Sequence, residues 1–180
     1  MIEKFFQNAK KEYSLRSRYI ILFFAGILFL LLLPLALISL GSSLDRWLGL
    51  PRLLFKPFNP ILGALLVAAG WFLGIWSNYV QVTIGHGTPV PLMATQKLII
   101  QPPYSFSRNP MALGAIVMYL GVAVWIGSLG ALFLVIIGAA ALLTYIKLLE
   151  EKEMEIRFGQ EYLSYKERTP FFFPRFSKKE

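Results

Sequence analysis

An all-α, polytopic helical membrane protein is the fold class that this sequence predicts, on three observations. Hydrophobic residues make up 56% of the 180 positions and charged residues only 16%, against about 25% charged in soluble domains. The charges are segregated, with none between Arg18 and Asp45, between Lys56 and Lys97, or between Arg108 and Lys147. The segments between them are apolar on every side, where a soluble helix would keep a polar face.

The first element is a tail, residues 1–18. Ile2, Phe5, Phe6, Ala9 and Tyr13 recur at helical spacing with lysines between them, which predicts an amphipathic segment lying in the headgroup layer. A membrane-spanning domain over 19–175 follows. A crossing takes about 20 apolar residues, and spans are predicted over about 20–40 and 60–82. The run that follows Arg108 is too long for one crossing and is broken at Gly127-Ser128-Leu129-Gly130. It reads as a helical hairpin of two short spans, 110–126 and 130–146, giving four transmembrane helices in all. Trp47, Pro51, Phe55, Pro57 and Phe58 between the first two spans read as interfacial anchors. Residues 147–180 form a charged helical tail interrupted at Gly159 and closed by the aromatic cluster around Phe171-Phe172-Phe173.

Orientation follows from lysine and arginine placement. With four spans and both termini cytoplasmic, fifteen of the eighteen basic residues lie inside and three outside. The net charge of +8 therefore reads as topology and attraction to anionic membrane lipids. It does not read as a nucleic-acid surface, because the charges flank spans and form no domain of their own. The chain contains no cysteine, which excludes disulfides and thiol chemistry. The single histidine, His86, sits in a Gly-His-Gly loop and is expected to be exposed, and no ligand cluster points to a metal.

Two polar features stand beside the spans. Asn109-Pro110 is a helix-start signal, Asn as N-cap and Pro at the first helical position. It turns the positive end of the third span toward the interface, with Arg108 beside it, as an anion site for a carboxylate or phosphate. Glu150-Glu151 lies just past the fourth span, where acids oppose the helix dipole. That local cost points to function or to a compensating cation, most of all at Glu150, whereas Glu153 and Glu155 read as a solvated helix face.

The order of motifs is Gly85-x-Gly-Thr-Pro-x-Pro, then Pro103-Tyr104-x-x-x-Arg108-Asn109-Pro110-Met111, then Glu150-Glu151 with Phe158-Gly159-Gln160-Glu161-Tyr162-x-x-Tyr165. Together they resemble the isoprenylcysteine carboxyl methyltransferase and phospholipid methyltransferase superfamily, from about Pro60 to Arg175. The resemblance implies an integral membrane methyltransferase that uses S-adenosyl-L-methionine at the cytoplasmic membrane face. It implies a cofactor site lined by Tyr104, Arg108, Asn109, Pro110, Met111 and Glu150, with Gln96, Lys97, Leu98 and Ile99 as a further contacting stretch. The implied acceptor is a lipid-like, lipophilic or prenylated molecule. No catalytic acid–base residue is assigned, because methyl transfer depends on alignment of the reacting atoms. Asn109, Ala112 and Ile146 stand where prenylcysteine enzymes carry histidine, tyrosine and arginine, so carboxyl and amine acceptors both stay open. The alternatives are an NADPH-dependent membrane reductase of the sterol reductase type and a non-catalytic lipid-binding protein.

Overall fold

The computed structural model describes residues 14–53, 57–88 and 95–174. The amphipathic tail up to Tyr13, the anchor Phe55, the Pro89–Pro91 turn and Arg175 lie outside the described residues. The described elements are helical. Helix α1 runs Leu15–Leu48, α2 Phe58–Thr83, α3 Pro110–Ile126, α4 Leu129–Tyr145 and α5 Glu151–Arg168. Three continuous helices are long and apolar enough to cross a membrane: α1, α2, and the run Leu129–Arg168 made by α4 and α5. Helix α3 is apolar but shorter, at 17 residues.

Packing of α2 on α3 forms the centre of the bundle, and glycines make it possible. A Cβ on Gly70 would lie 2.5 Å from both the Gly114 carbonyl oxygen and the Met118 nitrogen, and one on Gly121 would lie 2.7 Å from the Val67 nitrogen. In lipid, where burying apolar surface drives little association, such backbone-to-backbone approach supplies the dispersion contacts that hold helices together. Gly70→Ala is therefore expected to cost about 2 kcal/mol by overpacking. Thermal unfolding in detergent reads this out, and Gly138→Ala is the control, because a Cβ there meets nothing.

The α3–α4 hairpin turns as expected at Gly127, which takes a left-handed conformation (φ 66°). Ser128 then caps α4, its hydroxyl accepting from the Ala131 N–H at 2.9 Å. Asp45, near the end of α1, accepts from the Gly130 N–H at 2.6 Å, placing a carboxylate against the positive end of α4. The second half of α1, Leu33–Leu48, packs on α4 and α3. Its first half, Leu15–Ile27, makes few contacts with the other helices.

Two π turns interrupt the helices, and neither was expected. In α1 the Leu33 N–H bonds to the Leu28 carbonyl, five residues back. Pro34 explains it, because it has no N–H to continue the α ladder. The Phe29 carbonyl, released from that ladder, accepts instead from the Tyr119 hydroxyl of α3 at 2.7 Å. The second π turn, Ile146–Glu150, joins α4 to α5 without a break. Isolated π turns of this kind recur at functional sites.

Candidate active site

The ends of the helices that carry the polar motifs converge on one cavity of about 550 Å3. Its walls come from the first half of α1, the last turns of α2, the start of α3, the end of α4 and the face of α5. Eight of the ten residues singled out from the sequence line it: Leu98, Ile99, Tyr104, Arg108, Asn109, Pro110, Met111 and Glu150. Gln96 and Lys97 do not. Their backbone N–H groups both bond to the Gly85 carbonyl, and Lys97 is exposed, so they brace the loop behind the wall. His86 is exposed, at a left-handed turn position.

Tyr104 is buried against Val80 and Ile99. Tyr165 holds it from behind, donating its hydroxyl to the Tyr104 carbonyl at 2.7 Å. Burial, with Tyr165 beside it, holds the Tyr104 hydroxyl well above the usual phenol range, so the ring presents a neutral face. The C-terminal segment then closes over the start of α3. Ser107 donates to the Phe172 carbonyl at 2.8 Å, the Arg108 N–H to the Pro170 carbonyl at 2.9 Å, and the Asn109 side-chain amide to the Phe171 carbonyl at 2.8 Å. This last bond corrects the expected cap. Pro110 begins α3 as its fixed φ suits, but the Asn109 side chain makes no capping bond to it, because its amide is committed to the C-terminal segment.

Charge is arranged differently from the sequence expectation. Arg108 is not a free anion site. It is buried and ion-paired to the equally buried Glu151 at 2.5 Å. Lys147 and Lys166 approach the other Glu151 oxygen at 3.1 Å each, and the Phe171 ring lies against both Arg108 and Lys147. Glu153, expected on a solvated face, is buried and paired with Arg157 at 3.0 Å. Arg157 in turn donates to the Thr95 carbonyl and ties α5 to the loop. Glu155 pairs with Lys166 at 2.7 Å.

Glu150 is the exception. It faces the cavity and has no ion-pair or hydrogen-bond partner among the described residues. Burial, with the charge of Glu153 second, pushes its carboxyl up to about 7. Neighbouring acids take different surroundings because consecutive helical residues point about 100° apart: Glu151 reaches Arg108 while Glu150 is left unpaired on the cavity.

The walls carry other unsatisfied polar atoms. The side-chain oxygens of Asn78 and Gln81, and the Arg108 Nε, are buried without a hydrogen-bond partner. Buried polar atoms without partners are rare, and these three line the same cavity as Glu150. Sequence reasoning missed Asn78 and Gln81. The available signal was a pair of amides three residues apart near the end of an apolar span, a placement that marks ligand paths in membrane proteins. It also missed the wall from α1: Leu22, Ala25, Gly26, Phe29 and Leu30.

These atoms fit S-adenosylmethionine by chemistry. Glu150 and the two amide oxygens match its ammonium, amino and hydroxyl donors. Arg108 Nε matches its carboxylate. Tyr104 offers an aromatic face for the adenine or the sulfonium.

Comparison with known proteins agrees in kind. Methanethiol S-methyltransferase 1 of Bradyrhizobium diazoefficiens is 29% identical over 155 residues, covering 77% of this chain and 52% of that protein. The chain thus spans about half the length of that relative. The phospholipid methyltransferase family profile matches residues 58–161, more than half of the chain, from the start of α2 into α5, with Tyr104, Arg108 and Glu150 inside the match. This integral membrane protein belongs to the phospholipid methyltransferase family.

Proposed function

We propose that the protein is an S-adenosylmethionine-dependent methyltransferase that acts at the cytoplasmic membrane face on an apolar acceptor drawn from the bilayer. The observation that carries this reading is Glu150, a half-buried carboxylate without an ion-pair or hydrogen-bond partner among the described residues, on a cavity whose other end is lined by apolar side chains. In this reading α3 also crosses the membrane, and the cavity end of the bundle faces the cytoplasm with both termini, as the basic residues predict.

Bound there, the cofactor would supply an electrophilic methyl on a sulfonium, with a neutral thioether as its leaving group and one proton released from a thiol or amine acceptor. The chain's own residues bind and align. Glu150 holds the cationic amino-acid end. Arg108 Nε, fixed by Glu151, meets the carboxylate. The Tyr104 ring shapes the nucleoside side, and the Pro170–Phe172 segment holds Ser107, Arg108 and Asn109 in place at the start of α3. Excluding water and fixing the line of attack is where such a site gains its rate.

The same charges favour a neutral acceptor. Both arginines on the cavity, Arg108 and Arg157, are paired with buried carboxylates, and Ile146 places an apolar side chain on the wall. With Arg108 Nε given to the cofactor's carboxylate and Arg157 paired with Glu153, a substrate carboxylate would have no further arginine to meet there. A neutral thiol or amine needs none, and the relative's name specifies a thiol substrate. The test is thermal unfolding in detergent with increasing S-adenosylmethionine. Saturation at a hundred times the dissociation constant should stabilise the protein by about 2.7 kcal/mol. An unchanged melting temperature at saturating cofactor would exclude the reading, and a larger shift with NADPH would replace it.

A further inference from the structure

The bundle contains glycines of two kinds. Gly63, Gly70, Gly114 and Gly121 sit where a Cβ would strike a neighbouring helix, so packing requires them. Gly26 on α1 and Gly74 on α2 differ: a Cβ at either would meet nothing within 4 Å, and both line the cavity. Glycine inside a helix costs about 1 kcal/mol relative to alanine, and although the Gly74 backbone lies near Gly114 of α3, a Cβ at neither position would strike a neighbour. What the two glycines preserve is empty space.

That space lies in the apolar arm of the cavity. Gly26 is eleven residues from the start of α1 and Gly74 nine from the end of α2, which puts both about 13–17 Å in from the polar end of the bundle. The wall there comes from Leu22, Gly26 and Phe29 of α1, Trp71 and Gly74 of α2, and Met118 of α3, and none of these side chains is charged. On one side the wall is the first half of α1, which makes few contacts with the other helices. At the other end the arm runs into the part of the cavity lined by Glu150 and Tyr104.

We propose that Gly26 and Gly74 are specificity-determining residues that set the length of the acceptor, and that the acceptor is a neutral thiol on an unbranched alkyl chain lying between α1 and α2. This rests on the methyltransferase reading above. Side chains at the two positions would leave room beside the cofactor only for the shortest acceptors. The glycines give the arm a floor flat enough for an extended chain. Gly26 lies outside the matched family segment and Gly74 inside it.

The test uses the full-length protein in detergent and four probes: methanethiol, butanethiol, octanethiol and dodecanethiol. Alkyl methyl sulfide formation is followed with S-adenosylmethionine present. Thermal stabilisation by each thiol is followed without it. The variants are Gly26→Leu and Gly74→Leu, with Gly26→Ala and Gly74→Ala as graded forms should leucine impair folding. Gly138→Leu is the control, since a Cβ there also meets nothing but the residue lies off the cavity.

In the wild type the longer thiols should both stabilise the protein and be methylated. In the leucine variants, kcat/KM for dodecanethiol relative to methanethiol should fall about tenfold or more, as expected for losing one well-buried alkyl segment. Stabilisation by octanethiol should disappear, cofactor affinity should hold, and Gly138→Leu should match wild type. An unchanged chain-length profile in leucine variants that still bind cofactor overturns the role of the glycines and leaves the methyltransferase reading standing. Cofactor binding without methylation of any thiol overturns the acceptor class. Absence of cofactor binding in the wild type overturns both.

Discussion

Replacing Arg108 with alanine is expected to be the most destabilising single change in the described site, at about 3 kcal/mol. Arg108 and Glu151 are both almost fully buried and 2.5 Å apart. Removing one member of a buried pair strands the other charge, at a typical cost of about 3–5 kcal/mol. The lower end applies because Lys147 and Lys166 still face the second Glu151 oxygen. The loss should be cooperative with the C-terminal segment, since the Arg108 N–H holds Pro170 and its guanidinium lies against Phe171. A melting curve in detergent should therefore drop, and Pro170–Phe172 should become open to proteolysis in the same variant. The double variant Arg108→Met with Glu151→Met should recover most of the stability, because no buried charge is then left alone. An Arg108→Ala protein that melts with the wild type would show that the pair does not hold this end of the bundle.

Much of the architecture is legible in the sequence, because the physics that sets it is local. Charge-free runs longer than a bilayer crossing mark the helices, and Gly127-Ser128 marks the hairpin turn, since glycine suits a left-handed position and serine suits a cap. The site is legible only by residue type. Arg108 and Glu150 both lie on the cavity wall, but their partners depend on contacts far apart in the chain. The pairing of Arg108 with Glu151 spans forty-three positions, and the Asn109 amide reaches Phe171 across sixty-two. Neither carries a spacing signal.

The two π turns are hidden for different reasons. Pro34 disrupts the α ladder, but sequence does not show whether the helix kinks, ends or widens there. Nothing local marks Ile146–Glu150, where no proline or glycine interrupts the helix. The burial of Glu153 escapes notice likewise, because a Glu–Arg pair four residues apart is usually an exposed pair. Here the loop at Thr95 covers it and Arg157 binds that loop's carbonyl. The wall from α1 is missed because its residues are ordinary span residues, and no local signal distinguishes those that face the cavity.

Glu150→Gln is expected to lower S-adenosylmethionine affinity by about 10- to 100-fold, the equivalent of one charge-assisted hydrogen bond to a buried carboxylate. A smaller loss would arise if Glu150 only faced water, so pH dependence decides the matter. Its carboxyl titrates at about 7 in the free protein, raised above the ordinary 4.5 by burial first and by Glu153 second. A cationic ligand prefers the carboxylate and so lowers that pKa on binding. Affinity should therefore hold steady above pH 7 and weaken as the pH falls through 7, by up to tenfold per unit. The Gln variant should be flat across the same range. Stability without ligand should run the other way. A carboxyl raised on folding binds more protons in the native state, so its contribution is most favourable below about 4.5 and declines as the pH rises toward 7. These opposite slopes from one residue separate a ligand-binding carboxylate from a structural one: a Glu150 buried only for packing would give the stability slope without the affinity slope. A slope that survives in Glu150→Gln would move the cation site elsewhere on the cavity.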